Sequence, residues 1–268
     1  MTETDKTTAP LKTEPRPVLS LQKISKRFGA VHALTDVDLD VHAGEVVAIV
    51  GDNGAGKSTL VKVMAGVHPQ DGGTVVFEGR TVTLPSPGAS QSLGIATVYQ
   101  DLALCDNLDI VGNLFLGHEA LNGPFLADGY MEQEAIRLLR TLSARLPSVR
   151  TPVSQLSGGQ RQAVAVARSL LGKPKVVILD EPTASLGVSQ AAEVLNLIGR
   201  LRESGHAVVL ISHNMADIQA VSDRIAVLRL GRNNGTFHTA DVSYEEIIAA
   251  ITGATDVAPR RLVPPHGD

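Results

Sequence analysis

Gly51-Asp52-Asn53-Gly54-Ala55-Gly56-Lys57-Ser58 stands between a short apolar run, Glu45 to Val50, and a helical pattern from Lys57 to Ala65. Its glycines let a backbone wrap closely round an anion with N–H groups turned inward, and a helix behind them adds a positive end. This is the P-loop pattern in a strand–loop–helix setting. It assigns Lys57 to the β- and γ-phosphates of a nucleotide and the Ser58 hydroxyl to Mg²⁺, with Thr59 completing the binding stretch. A glycine-rich structural turn is the competing reading, and the flanking strand and helix weigh against it.

A second stretch, Leu156-Ser157-Gly158-Gly159-Gln160, also has the make-up of a phosphate-type helix start, followed by a helical run from Arg161 to Leu171. Two small glycines and a hydroxyl would present bare backbone N–H groups and a positive helix end to an anion. One nucleotide does not need two such cradles from one chain, so the second points to a partner molecule's nucleotide. Downstream, Val176 to Leu179 leads into Asp180-Glu181. A carboxylate at the end of a buried strand beside a P-loop suits the Mg²⁺ shell, and Glu181 is then placed to polarise an attacking water. Two acids after an apolar strand are weakly specific alone; their weight comes from the two stretches before them.

Around these motifs, strand and helix signals alternate. Val18 to Lys23 and Ala33 to Val41 read as strands, and Thr74 to Phe77 and Thr81 to Leu84 flank a hairpin signal at Glu78-Gly79-Arg80. Gly94 to Tyr99 is a further strand, and helical spacing runs from Met131 to Leu146. Lys175 to Leu179 and Ala207 to Ile211 are apolar throughout, as buried parallel strands are. Val188 to Glu203 has helical periodicity with a stop at Gly205, and Ile225 to Leu230 is a strand. Ser243 and Glu246 form a capping-box pattern ahead of Ile247 to Ile251, closed by Gly253. The expected fold is α/β: a P-loop NTPase core with a mostly parallel sheet, an N-terminal antiparallel β subdomain and a helical subdomain. It occupies residues 18–253, with the helical part at about 101–172; residues 1–17 and 254–268 read as mobile tails.

Composition narrows the function. A net charge of −4 over 268 residues supplies no basic field for nucleic acid or anionic lipid. No apolar run approaches the roughly 20 residues that cross a bilayer, and Met1 to Pro17 lacks a signal-peptide core. The single cysteine, Cys105, fits a reducing cytosol and reads as a small apolar packer. The absence of tryptophan and the few other aromatics argue against a stacking platform for single strands.

Taken together, Gly51 to Ser58, Tyr99-Gln100, Leu156 to Gln160, Asp180-Glu181 and Ile211-Ser212-His213 resemble the ATP-binding subunit of an ABC transporter. The resemblance spans about residues 18–252, with the motifs in family order. It implies that Gln100 sits near Mg²⁺ and the attacking water and senses a membrane subunit, and that His213 contacts the γ-phosphate. It implies that Ser157 and Gly159, with Gly158 and Gln160 beside them, bind the opposite subunit's ATP, and that Phe28 stacks on adenine. On the residues alone, a glutamine at a strand end such as Gln100 is more often a surface residue, a lone histidine such as His213 is usually structural, and plugging the sheet edge is the competing reading for Phe28. The implied machine is a two-fold sandwich holding two ATP molecules, closing to complete catalysis and driving a separate integral membrane permease. That places the chain peripherally on the cytoplasmic face of the inner membrane.

One position departs from the family pattern. Ala184-Ser185-Leu186-Gly187 ends in glycine where the family has aspartate, so Gly187 offers no carboxylate to the opposite subunit; ATPase activity is expected to survive. Val98 to Gly117, Gly51 to Gly56, Ile211 to Met215 and Leu230 to Gly235 resemble the carbohydrate-import branch, of the ribose, xylose and fructose type. Many members of that branch carry two ATPase halves in one chain; here each motif occurs once, which implies a homodimer. The same resemblance implies a monosaccharide cargo and, indirectly, a periplasmic sugar-binding protein. Three alternatives remain: an ABC-type ATPase for another cargo, a nucleic-acid-handling ATPase, or a regulatory ATP-binding protein of the same fold. The gap between the P-loop and Leu156 holds no heptad run and no cysteine pair, which disfavours the second. Glu181 and His213 disfavour the third.

Overall fold

Val46–Val50 is buried at every position, and it runs through the middle of a six-stranded sheet. A strand with no polar side has to be covered on both faces, and that requirement organises the molecule. The structure is a computed structural model that describes residues 16–254. The tails expected at 1–17 and 254–268 therefore lie outside the described residues, apart from Arg16, Pro17 and Ala254.

The chain opens with β1 (Leu19–Phe28) and β2 (Val31–Val41), an antiparallel pair. β1 runs past the expected stop at Lys23, because Lys23 adopts φ 51 and a register shift there lets pairing resume at Ile24. After β3 (Val46–Val50) comes α1 (Lys57–Met64), then β4 (Gly72–Phe77) and β5 (Arg80–Val82). Glu78 and Gly79 between them both have positive φ, as a tight hairpin turn requires. These strands form a four-stranded sheet in the order β2-β1-β4-β5.

Next comes α2 (Pro87–Leu93), which sequence periodicity did not reveal. Its signals are local: Ser86 caps it, Pro87 starts it and Gly94 ends it at φ 96. β6 (Ile95–Val98) follows, then α3 (Ile110–Phe115), a small hairpin of β7 (Leu121–Asn122) and β8 (Phe125–Leu126), and α4 (Asp128–Thr141). The helical pattern expected to reach Leu146 stops at Thr141, because Ser143 turns the chain with φ 53. The remainder is α5 (Gly158–Leu170), β9 (Val176–Asp180), α6 (Val188–Glu203), β10 (Ala207–Ile211), α7 (Met215–Val221), β11 (Arg224–Arg229), β12 (Arg232–His238) and α8 (Tyr244–Thr252). The capping box of Ser243 and Glu246 forms at the start of α8, with Gly253 as its left-handed stop.

The large sheet has the order β12-β11-β3-β10-β9-β6, parallel except for β12. Alternate residues on each strand serve opposite faces. Val177 and Leu179 join the core shared with α3, α4, α5 and α6, whereas Val176 and Ile178 face α1 and the antiparallel sheet. A third cluster seats α7 and α8 on Ala48, Val50, Ile225 and Val227. Ile178 is fully buried in that central layer. Ile178→Ala is expected to cost about 3–4 kcal/mol, from lost burial plus a residual cavity. Urea unfolding should show a lower midpoint with an unchanged slope.

Candidate active site

The loop after β3 turns in a gap that admits only backbone. A Cβ on Gly51 would lie 2.2 Å from the Leu228 carbonyl oxygen, and one on Gly56 would lie 2.8 Å from the Ala33 oxygen. Ala55 is buried below the loop, while Asp52, Asn53, Gly54 and Ser58 face solvent. The Lys57 ammonium folds back to donate to the carbonyls of Gly51 (2.7 Å) and Asp52 (3.0 Å), which holds a positive charge against the loop. α1 starts from Gly56 with no side-chain cap, so its first-turn N–H groups remain open to an anion.

Sheet order brings the other motifs to the same edge. β10, beside β3, delivers Ser212 and His213; β9 delivers Asp180 and Glu181; β6 delivers Tyr99 and Gln100. Register fixes their levels, with Ile211 opposite Asp180 and Val98 opposite Leu179. Glu181 takes φ 51, its N–H donates to Ile211 O, and its Oε2 lies 2.9 Å from His213 Nδ1. The Glu181 side chain is 18% exposed and that of His213 75%, so the carboxylate is sheltered beneath an imidazole that faces solvent. His213 is therefore not a core packer. Gln100 is exposed at the end of β6.

Asp180 is the electrostatically strained member. Burial and then the adjacent Glu181 push its carboxyl above the usual range, while Lys57 and Lys62 pull it back. Tyr99 is pushed up too, by burial and then by Asp180. Among the described residues Asp180 has no ion-pair or hydrogen-bond partner for its carboxylate. No cluster of three His, Cys, Asp or Glu there could hold a metal alone. Ser58 and Asp180 offer hard oxygen donors, which would suit a cation such as Mg²⁺.

The signature stretch, Leu156 to Gln160, differs from the bare cradle expected of it. Ser157 and Gln160 form a reciprocal capping box: Ser157 Oγ accepts from Gln160 N, and Gln160 Oε1 accepts from Ser157 N. The Gln160 N–H is thus already used, leaving those of Gly158 and Gly159. The glycines also answer to packing. A Cβ on Gly158 would come within 2.5 Å of Leu186 Cδ2, and one on Gly159 within 3.3 Å of Gln190 O, so α6 can lie against the start of α5. Gly159 is buried by that contact. α5 packs chiefly on α3, α4, α6 and β6, away from α1 and the phosphate loop.

Phe28, at the end of β1, does not plug the sheet edge. It is 44% exposed, with His68 edge-on at 5.2 Å and the Lys26 ammonium 5.6 Å from its ring centre. His68 carried no sequence signal, since only the fold brings it to Phe28. The Thr183 hydroxyl donating to buried Asp217 (2.7 Å) was missed as well; a buried acid near a helix start is its only trace in the sequence.

The family described as ABC transporter matches residues 34–184. The chain belongs to the ABC transporter family. It is that family's ATP-binding cassette, the subunit whose ATPase activity is coupled to transport. It is 45% identical to a xylose/arabinose import ATP-binding protein of Sulfolobus acidocaldarius, covering 88% of this chain and 94% of that one. It is 40% identical to a putative ribose/galactose/methyl galactoside import ATP-binding protein of Burkholderia lata, over 88% of this chain but only 46% of that relative. The cassette thus spans about half the length of the latter. A solved ATP-binding cassette of an ABC transporter in its ADP conformation superposes with a TM-score of 0.74 at 26% identity, covering 88% of this chain and 95% of that one.

In the cassette, Gly158→Ala should destabilise by about 1–3 kcal/mol through overpacking. Adding Leu186→Ala, which removes the clashing methyl, should recover part of that loss in thermal unfolding. Asp180 gives a second test. Its folded-state pKa is raised above 3.8, so the folded form holds its proton longer than the unfolded one. Stability therefore falls as pH rises from 3.8 through the raised value and stays lower above it. Asp180→Asn should raise the melting temperature of the nucleotide-free cassette at pH 7, flatten that slope and abolish ATPase activity.

Proposed function

We propose that the cassette hydrolyses ATP for a monosaccharide importer, working as a homodimer beneath a membrane permease. The observation that carries this reading is the convergence of Lys57, Asp180, Glu181, Gln100 and His213 at one sheet edge, while Ser157 to Gln160 sits on α5, apart from them. One molecule holds the phosphates from one side only. A second copy would bring its own Ser157, Gly158, Gly159 and Gln160 to the open side of the γ-phosphate. The capped helix start supports this, since the Gly158 and Gly159 N–H groups stay free for an anion.

Residues Gly51 to Ser58 and Thr59 then hold the phosphates, with Lys57 neutralising charge between β and γ, and Phe28 stacks on the base. Ser58 and Asp180 would hold Mg²⁺, with Gln100 at its edge; the ion supplies charge neutralisation on the phosphate oxygens. Glu181 accepts the proton of the attacking water, and His213, 2.9 Å away, fixes the carboxylate and meets the γ-phosphate. Residues 18–253 act as the cassette, with residues 101–172 as its helical part. Among the described residues no helix is long and apolar enough to cross a membrane; the reading assigns the crossing to a separate permease. The named sugars of the relatives support a monosaccharide delivered by a periplasmic binding protein, with the cassette on the cytoplasmic face.

Glu181→Gln should lower kcat about 10²–10⁴-fold while ATP binding persists. With ATP and Mg²⁺ it should sediment as a dimer, whereas the parent returns to monomer after turnover. Uptake of labelled xylose, ribose, fructose and galactose, in cells with and without the chain, decides the cargo. Unchanged uptake of every sugar would remove the sugar assignment, and an active Glu181→Gln would remove the assigned base.

A further inference from the structure

We propose that Arg168 is a positioning residue that ties the segment after Gln100 to the signature helix. Arg168 lies near the end of α5, the helix that Ser157 to Gln160 begins. Its half-buried guanidinium donates to the carbonyls of Leu102 (2.6 Å) and Ala103 (2.8 Å). A guanidinium withdrawn from water normally takes a carboxylate. Among the described residues Arg168 has none, and two main-chain oxygens receive it instead.

The segment it grips is built to be held. Ala103 takes φ 47, an unfavourable conformation for alanine, and its N–H is pinned by Asp101 Oδ1 at 3.0 Å. Further on, fully buried Asn113 of α3 donates to the carbonyls of Cys105 (2.9 Å), Leu108 (3.3 Å) and Asp109 (3.0 Å), and accepts from Cys105 N. α3 in turn packs on α5. On the other side of Gln100, Val98 is locked into the large sheet opposite Leu179. Gln100 therefore lies at the joint between a strand end fixed to the sheet and a turn fixed to α5. Any displacement of α5 relative to the sheet pulls on Gln100 through Arg168, so the state of the signature region is felt at the hydrolytic site of the same chain.

The consequence for turnover rests on the placement of Gln100 in the site proposed above; the tie itself does not. Cys105, the sole cysteine, sits inside the gripped segment, half-buried, and reports on it without engineering. N-ethylmaleimide labelling of the full chain, with and without ATP and Mg²⁺, reads the tie directly. Arg168→Gln should raise the labelling rate by about tenfold, because local opening becomes easier. It should lower kcat by about tenfold to a hundredfold with the ATP KM within about twofold, because a displaced group costs chemistry rather than binding. Arg168→Lys, which keeps the charge and one donor, should fall between. If Arg168→Gln does not fold, Asp101→Ala must give a smaller rise in labelling. Labelling at the parent rate in either variant overturns the proposal. So does a kcat that stays at the parent value, or a KM that rises in step with its fall. A parent chain without ATPase activity would instead overturn the function proposed for the site, and labelling would still decide the tie.

Discussion

The gap between Gly51 and the Leu228 carbonyl, into which no side chain fits, sets the position of nearly everything else of consequence. β3 can deliver the phosphate loop there only because it is flanked by β11 on one side and β10 on the other. Those parallel neighbours require crossover helices, and the helices require a sheet that is apolar on both faces. From that arrangement the ends of β10, β9 and β6 fall into line beside the loop. The chemistry collects at one edge because parallel strands share a direction.

Charge at that edge is held at an electrostatic cost. Asp180 is pushed up by burial and by Glu181, with no partner among the described residues to offset it. Lys57 meanwhile spends its donors on the carbonyls of its own loop. A phosphate and a cation at the site proposed above would give both groups partners of opposite charge. Glu181 differs: it is sheltered and held beside His213.

The placement of the loop after β3, of Asp180-Glu181 at the end of β9 and of the buried strands is legible in the sequence, because each depends on particular residue types at fixed spacing. What escaped depended either on short-range capping or on contacts across the chain. α2 was announced by Ser86, Pro87 and Gly94 but is too short for periodicity to show. Helical spacing from Met131 to Leu146 overshoots the end of α4 at Thr141, because the apolar pattern continues past the turn at Ser143. Gly158 and Gly159 have the make-up of anion donors in the sequence; their packing against Leu186, just before α6, and Gln190, within it, is one that sequence spacing cannot show. His68 beside Phe28 and Asp217 beside Thr183 are likewise products of the fold.

Gly187 gains a clearer meaning from the same contacts. It caps α6 with an ordinary extended backbone, φ −70, and a Cβ there would meet nothing within 4 Å. Neither strain nor crowding demands glycine, so the missing carboxylate is a lost charge rather than a steric necessity. The loop it closes is nonetheless tied within the chain at two points, Glu181 to His213 and Thr183 to Asp217. Both ties join the segment after β9 to the segment after β10, and neither passes through position 187. The two segments are thereby held together within one chain. A carboxylate at 187 would stand outside both ties, in uncrowded space at the start of α6, and it is at that position that this chain departs from the family pattern.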